Sequence, residues 1–434
     1  MSTFAFTACF AVWTIFSIIG IRIKQELGLS EAEFGLLAGT PILTGSLIRV
    51  PLGVWTDQVG GRLVSLLVML SAAVATFLLS HAQTYPQFLL AALGVGLAGG
   101  CFSVGVAYVS KFFPKKTQGT ALGIFGAGNV GAAVTKFAAP FVMLAFGWQT
   151  VAQVWAGALA VVAVVAFLVT RDDPELVERR RTGAKPTPAL MQLSPLKKLQ
   201  VWRFALYYFF VFGAFVALSL WLPHYLVAVY HLNIAAAGML AAAYSIPGSL
   251  FRVFGGWLSD RIGARKVMYI TFGVSVLCTF LLSYPATTYI VDGIQGPITF
   301  RLATGLIPFV VILFCLGFAM SLGKAAVYKH IPVYYPDHIG SVGGLVGMIG
   351  GLGGFVLPIA FGALNDLTHV WTSCFMLLFV LVAAALAWMH FAIRRMERAR
   401  TPQLADLPEL PEMAGLQPSF QTPAAPAPAR PAAA

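Results

Sequence analysis

The sequence has very little charge. Of its 434 residues only 10% are charged, whereas 59% are hydrophobic. A soluble domain carries about 25% charged residues, so this chain cannot present a polar surface to water on all sides. The composition therefore excludes a soluble enzyme, a nucleic-acid-binding protein and a disulfide-rich scaffold. It predicts a protein whose solvent is mostly lipid.

Cysteine is also scarce, and a secretory leader is not evident. The five cysteines are odd in number, lie in apolar runs and lack the spacing of a metal site. We interpret them as small buried hydrophobic residues, and we expect no metal and no cofactor. The first twenty residues lack the basic region and cleavage site of a signal peptide, so we expect them to form the first membrane span.

Long apolar runs are abundant instead. A spanning helix needs about 20 mostly apolar residues, and the sequence contains twelve such stretches. They lie at residues 4–22, 34–55, 63–80, 88–110, 119–142, 150–170, 203–229, 236–257, 267–284, 304–329, 340–362 and 371–392. We therefore predict an all-α membrane protein with two pseudo-symmetric six-helix bundles, at 1–170 and 203–395. Residues 171–202 form a cytoplasmic linker, and residues 396–434 a disordered Pro/Ala-rich cytoplasmic tail.

The basic residues predict the orientation of the spans. Only Arg22, Lys24 and Arg301 fall in one set of alternating loops, and the opposite loops and the tail carry most of the others. Because basic loops stay inside, both termini are expected in the cytoplasm of a multi-pass inner-membrane protein. The net charge of +12 is thus mainly a topology signal, with contact to anionic lipid as a second interpretation.

Two segments 203 residues apart reveal an internal repeat. Gly45 to Arg62 reads GSLIRVPLGVWTDQVGGR and Gly248 to Arg265 reads GSLFRVFGGWLSDRIGAR, with nine of eighteen positions identical. A parallel duplication relates two halves by an axis along the membrane normal and places a substrate between them, near the midplane. The shared motif consists of Gly53, Asp57, Gly60 and Arg62 in the first copy and Gly256, Asp260, Gly263 and Arg265 in the second.

This motif resembles the cytoplasmic loop motif of the major facilitator superfamily. The resemblance covers the chain except its tail. It implies that the Asp and Arg residues bridge helices and hold an inner gate, rather than contact a substrate.

The charges inside the spans are all basic. None of the 16 Asp and Glu residues falls within the predicted spans, which contain Arg49, Lys136, Arg252, Lys324 and Lys329. A charge at mid-bilayer costs at least about 2.5–3.5 kcal/mol on insertion scales, so each of these side chains needs a role.

The two arginines are expected at the same depth. Arg49 precedes Asp57 by eight residues, about 12 Å of helix, and half the hydrocarbon core is about 15 Å. The repeat gives Arg252 the same depth, near the midplane. Two opposed guanidiniums without a carboxylate favour an anion between them, and their planar donors suit a flat oxyanion.

The three lysines are expected to have different roles. Lys324 is deep in its span, and a buried lysine can lose its proton whereas arginine cannot, so we take it as a candidate for proton coupling. Lys329 lies near the end of its span, and we expect it to snorkel to the surface. The role of Lys136 stays open.

Two glycine-rich segments, at 123–131 and 343–354, form a second pair. A dinucleotide site is excluded because no strand precedes their glycines. Glycine rows let helices approach closely and slide. They also expose backbone groups to a small ligand, here at Gly126 and Gly347, together with the side chain of Asn129.

These segments, each followed by a proline, resemble the signature helices of the NarK-type nitrate/nitrite porters, closest to their nitrate/proton symporters. That resemblance implies a site in which arginines clamp the anion and aromatic rings sandwich it, formed by Arg49, Arg252, Phe102, Tyr208 and Phe212. Tyr207 stays open as the hydroxyl donor. It also implies nitrate as substrate, with nitrite and protons as further partners, a functional monomer, and a role in nitrate assimilation or denitrification.

Two driving forces are compatible with the sequence. An inside-negative potential opposes anion uptake by about 2.3 kcal/mol per 100 mV, so uptake needs a co-transported cation or an exchanged anion. Lys324 favours proton symport, since antiport-type relatives tend to be uncharged there, while the lack of carboxylates in the spans favours nitrate/nitrite antiport. Transport of another anion and anion sensing are further alternatives. The all-basic interior counts against an exporter of organic cations, and no catalytic constellation indicates an enzyme.

Overall fold

The computed structural model describes residues 1–113, 115–182, 198–334 and 339–399. The first half of this part is entirely helical. Its helices are α1 Ser2–Trp13, α2 Phe16–Leu27, α3 Glu31–Leu47, α4 Arg49–Val59, α5 Gly61–Leu79, α6 Tyr85–Val95, α7 Leu97–Ser110, α8 Lys115–Gly126, a 3₁₀ turn Ala127–Val130, α9 Gly131–Phe146, α10 Trp148–Val169 and α11 Pro174–Thr182.

The second half adds one hairpin to its helices. Its elements are α12 Leu199–Tyr208, a π-helical turn Phe209–Ala214, α13 Phe215–Tyr230, α14 Ile234–Leu250, α15 Arg252–Ile262, α16 Ala264–Ser283, β1 Thr287–Gly293, β2 Gly296–Leu302, α17 Leu306–Tyr334, α18 Ile339–Thr368 and α19 Ser373–Ala399. The strands β1 and β2 pair antiparallel, and the sequence analysis did not predict them.

The helices confirm a multi-pass membrane architecture. Ten helical stretches of the described residues are long and apolar enough to cross a membrane, and the bent pair α14–α15 is an eleventh. The pair α3–α4 carries the first copy of the repeat, as α14–α15 carries the second, and covers the second of the twelve predicted spans. Several helices exceed their predicted bounds; the first span runs to Leu27 instead of residue 22.

The second and eighth spans are each broken in the middle, whereas the sequence predicted them to be continuous. Ile48 separates α3 from α4, and Phe251 separates α14 from α15, which bend by 40°. In the first half Pro51 contributes to the break, because it has no N–H to donate to the carbonyl of Leu47. As a result, Arg49 and Arg252 each begin the helix that follows the break.

The segment predicted as a linker is partly helical. Within it, α11 packs Leu176 against Gly60, where a Cβ would lie 2.4 Å from a Leu176 methyl group. Residues 183–197 lie outside the described residues. The chain from residue 400, which is most of the tail predicted to be disordered, also lies outside them.

The two halves meet along two helix pairs. Between α3 and α18, Gly35 lies against the Pro358 carbonyl and Gly39 against that of Phe355. Between α9 and α14, Gly238 lies against the carbonyl of Lys136. We call the end of the bundle that carries Gly60 and Gly263 the motif end, and the other, which carries Glu31 and Asp366, the outer end.

At the outer end, polar groups join the halves. Asp366 of α18 accepts hydrogen bonds from the backbone N–H groups of Glu31 and Ala32, at 3.2 and 2.9 Å. His224 of α13 contacts the Glu31 carboxylate at 2.7 Å, and Lys24 lies 3.2 Å from the same group. The N-terminus of α3 is thus capped by the other half of the protein.

Candidate functional site

Arg49 lies at the centre of the molecule, at the start of α4. Its side chain is 3% exposed, and Nη1 donates a hydrogen bond of 2.7 Å to the carbonyl of Gly347. Its Cζ lies 5.1 Å from the ring centroid of Phe102 and 5.4 Å from that of Phe212. The Nε atom is buried without a hydrogen-bond partner.

Arg252 takes the equivalent place at the start of α15. It is 6% exposed, and its Nη1 has no hydrogen-bond partner. Its Cζ lies 5.8 Å from the Phe102 ring centroid and 5.7 Å from that of Tyr328. The two guanidiniums thus share the Phe102 ring, and the structure brings together the arginines that the repeat predicted to meet.

Each arginine faces a glycine helix of the other half. A Cβ on Gly126 would lie 3.0 Å from Nη1 of Arg252, and one on Gly347 would lie 3.6 Å from Nη1 of Arg49 and 2.8 Å from the Tyr328 hydroxyl. The glycine helices therefore leave room for guanidiniums that reach across the interface between the halves.

Two predicted aromatic residues of the seventh span join this centre. Tyr208 and Phe212 stack with centroids 5.1 Å apart and an interplanar angle of 9°, and the Tyr208 hydroxyl has no hydrogen-bond partner. Phe212 lies in the π-helical turn, a type of irregularity found frequently at functional sites. Tyr207 instead packs against Phe272 of α16, so of these two neighbouring tyrosines only Tyr208 stacks on Phe212.

Asn129 lies in the 3₁₀ turn between α8 and α9. It is fully buried, and neither its amide nitrogen nor its amide oxygen has a hydrogen-bond partner. Buried polar groups are almost always paired. Asn129, Arg49, Arg252 and Tyr208 therefore each have at least one buried polar atom without a hydrogen-bond partner.

The centre has positive charge without a counter-ion. In the described part of the chain, no carboxylate lies within ion-pair distance of Arg49 or Arg252. Unpaired donors, two guanidiniums and flat aromatic faces provide what a small planar anion needs for binding.

Two residues of the centre were missed by the sequence analysis. Tyr328 of α17 packs edge-on against Tyr208 at 5.0 Å and donates a 3.1 Å hydrogen bond to the carbonyl of Gly343. Trp13 of α1 lies 5.7 Å from the Cζ of Arg49. Tyr328 could have been found from the sequence, because it follows the candidate residue Lys324 by one helical turn. Trp13 could not, because it is one aromatic residue among many in its span.

The buried lysines have neutral partners. Lys324 of α17 is fully buried; its Nζ donates to the Gly248 carbonyl at 2.5 Å and lies 3.3 Å from the Phe215 ring centroid. Lys136 of α9 is also fully buried and donates to Ser245 Oγ at 2.5 Å.

The first copy of the loop motif holds the motif end together. Gly60 adopts a φ of +98°, which allows the sharp turn into α5. Arg62 donates to the carbonyl of Phe167 at 2.9 Å and lies 4.0 Å from Asp172. The side chain of Asp57 lies outside the described part of the structure.

The second copy contains an unexpected ion pair. Gly263 has a φ of +87° at the matching turn. Lys329, which we expected to snorkel to the surface, is partly exposed at the motif end and lies 2.5 Å from Asp260. Gly53 and Gly256 of the motif face open space, and Arg265 lies at the start of α16.

The fold and the loop motif define a transporter. The chain belongs to the Major Facilitator Superfamily, whose profile matches residues 1–300 and 230–431. Solved structures agree on the fold: a bacterial homologue of the human lysosomal transporter Spinster has a TM-score of 0.69 at 16% identity, covering 92% of this chain and 97% of its own. The nucleoside transporter NupG has a TM-score of 0.67 at 14% identity, with 90% and 98% coverage.

Within that superfamily the chain belongs to the NarK-type porters. It is 41% identical to the probable nitrate/nitrite antiporter NarK1 of Thermus thermophilus, over 91% of each chain. The nitrite extrusion protein of Bacillus subtilis is 30% identical over 91% of this chain and 94% of its own. The probable nitrate/nitrite transporter NarK2 of Mycobacterium tuberculosis is 33% identical over 84% and 88%.

Proposed function

We propose that this protein imports nitrate across the inner membrane by alternating access, with the anion held between Arg49 and Arg252. One observation carries the proposal: two buried guanidiniums share the Phe102 ring and have no carboxylate partner among the described residues. Nitrate is flat and singly charged, so it can accept hydrogen bonds in its plane while aromatic faces cover it above and below.

The relatives support nitrate as the substrate. Three relatives are named for nitrate or nitrite transport, and each spans more than four fifths of this chain. The unpaired amide of Asn129 lies one turn after Gly126, the glycine that admits Arg252, and Tyr208 lies against Gly350 of the other glycine helix. We assign Asn129 and Tyr208, with Phe212, to the same anion site, and the backbones of Gly126 and Gly347 to its walls.

For the driving force we propose proton symport. Uptake against an inside-negative potential requires compensation of the anion charge, and Lys324 provides a group near the centre that can exchange a proton. Nitrate/nitrite antiport is the second candidate, because the relative at 41% identity is named a probable antiporter. Antiport would need no titrating lysine.

We also propose the orientation and division of the chain. The basic loops favour a cytoplasmic position for the motif end and both termini, with bundles at 1–170 and 203–395 around the linker at 171–202. The site is complete within one chain, which supports a functional monomer.

Nitrate flux into proteoliposomes tests the proposal. One set of vesicles is empty with acid outside, and a second is loaded with nitrite at equal pH. We expect uptake in the first set, which establishes symport. Uptake only in the nitrite-loaded set would establish antiport, and no flux in either set would contradict nitrate transport.

A further inference from the structure

A second buried cation lies between the two halves, away from the arginine pair. Lys136 belongs to the N-terminal half, and its only hydrogen-bond partner among the described residues is Ser245 of the C-terminal half, at 2.5 Å. Ser245 in turn lies 3.2 Å from Ser219 of α13. All three side chains are fully buried, so the ammonium group is surrounded by neutral hydroxyls.

No counter-charge faces this group from the elements packed around it. On α14, Tyr244 donates to the sulfur of Met320. On α13, His224 contacts Glu31 at the outer end. On α1, Cys9 lies beside Cys101. The charges of α2 are engaged at the outer end, where Arg22 pairs with Glu26 and Lys24 with Glu31, and α10 carries no ionisable side chain.

Lys136 differs from Lys324 in one respect that matters for coupling. The partners of Lys324 are Gly248 and Phe215, which belong to its own half, so they move with it. Lys136 contacts the other half, and any motion that separates α9 from α14 breaks its hydrogen bond. Its access to water therefore changes as the outer end opens and closes.

Lys136 and Lys324 both contact helix α14, through Ser245 and Gly248. Ser245 and Gly248 are three residues apart on α14, about 4.5 Å of helical rise, and Gly248 is followed one turn later by Arg252. Along α14, the contact with Lys136 therefore lies nearest the outer end, the contact with Lys324 comes next, and Arg252 follows. Lysine can release its proton when buried, which arginine cannot do.

We propose that Lys136 is the outer proton-accepting residue of nitrate symport. When the halves part at the outer end, the neutral amine of Lys136 takes one proton from external water and becomes an ammonium. When they close, Lys136 is buried against Ser245, and the proton leaves toward Lys324 and then the cytoplasm, which restores the amine. This inference rests on the proposed proton symport and adds the residue that takes up the proton.

The test compares two transport modes in proteoliposomes. Wild-type protein and the variants Lys136→Gln, Lys136→Arg and Lys324→Gln are assayed for acid-driven nitrate accumulation and for nitrate/nitrite exchange at equal pH. Lys266→Gln, at an exposed lysine of the motif end, is the matched control. Thermal stabilisation by nitrate shows that each variant is folded and binds the anion.

We expect both Lys136 variants to keep exchange within about threefold of wild type and to lose acid-driven accumulation by at least about tenfold, since neither the neutral amide of Gln nor the fixed charge of Arg can take up and release a proton. Acid-driven accumulation that persists in Lys136→Gln would overturn the inference and leave symport intact. Wild-type protein without acid-driven accumulation would overturn proton symport itself, and the inference with it.

Discussion

At the scale of single residues, the site depends on small side chains as much as on charged ones. Gly126 and Gly347 occupy matching places in the two halves, and each lies beside the arginine of the other half. A methyl group at Gly126 would contact the Arg252 guanidinium at 3.0 Å, closer than carbon and nitrogen normally pack. Because these glycines have no side chain, they leave the space that the guanidiniums occupy.

We expect Gly126→Ala to reduce nitrate transport by about tenfold, because overpacking costs roughly 1–3 kcal/mol and here displaces a binding group. Gly123→Ala is the matched control, since a Cβ there meets nothing within 4 Å. Initial rates of nitrate uptake in proteoliposomes measure the effect. Equal rates for the two variants would show that the Arg252 position does not matter for transport.

The residues of the site were predictable from sequence to different extents. Arg49 and Arg252 stand out because a charge in lipid requires a reason and the repeat places both at one depth. The partner of Lys136 was not predictable, because Ser245 is more than a hundred residues away and only the packing of α9 on α14 brings them together. Lys329 and Asp260 are also distant in sequence, and only the packing of α17 against α15 brings them together.

At the scale of elements, hydropathy locates the spans but not their irregularities. The breaks at Ile48 and Phe251 leave the apolar pattern unchanged, so hydropathy could not reveal them, although Pro51 was a signal for the first break. The hairpin of β1 and β2 did have a signal in sequence, since Thr287–Gly293 is rich in β-branched residues.

The outer end contains an interaction whose strength depends on pH. Glu31 lies outside the spans, at the start of α3. Burial raises the pKa of its carboxyl, but the hydrogen bond to His224 and the charge of Lys24 outweigh burial and bring the pKa below the ordinary value of 4.5. A carboxyl with a lowered pKa stabilises the folded state above its unfolded pKa and loses that contribution as the pH falls through its folded pKa.

We therefore expect Glu31→Gln to lower the stability by about 1 kcal/mol at pH 7, and we expect a smaller difference at about pH 4, where the carboxylate begins to take up protons. Thermal unfolding midpoints of the purified protein at both pH values provide the measurement. Asp292→Asn, on the exposed strand β1, is the control and should leave the midpoint unchanged. A Glu31→Gln effect of the same size at both pH values would mean that the carboxylate charge contributes nothing.

At the scale of the whole molecule, charge rather than apolar content sets the orientation. The loops at the motif end carry most of the basic residues, and the hairpin at 287–302 lies at the other end with Arg301. The proposed direction of transport depends on this assignment, because the outer end must face the source of nitrate.

We expect a cysteine introduced by Ile294→Cys, at the fully exposed hairpin tip, to react with a membrane-impermeant maleimide in intact spheroplasts. Lys266→Cys, at the motif end, should react only after the membrane is opened. Both are made after the five native cysteines are replaced by alanine. The reverse pattern of labelling would place both termini outside.

The central claim is that the two arginines hold nitrate together, and calorimetric titration of the purified protein with nitrate tests it most directly. Removing one member of a buried charged contact costs roughly 2–5 kcal/mol. We therefore predict that Arg49→Gln and Arg252→Gln, which remove the charge, each weaken nitrate binding by at least about 30-fold, while Arg301→Gln, on the exposed strand β2, binds like wild type. Wild-type affinity in either arginine variant would contradict the account.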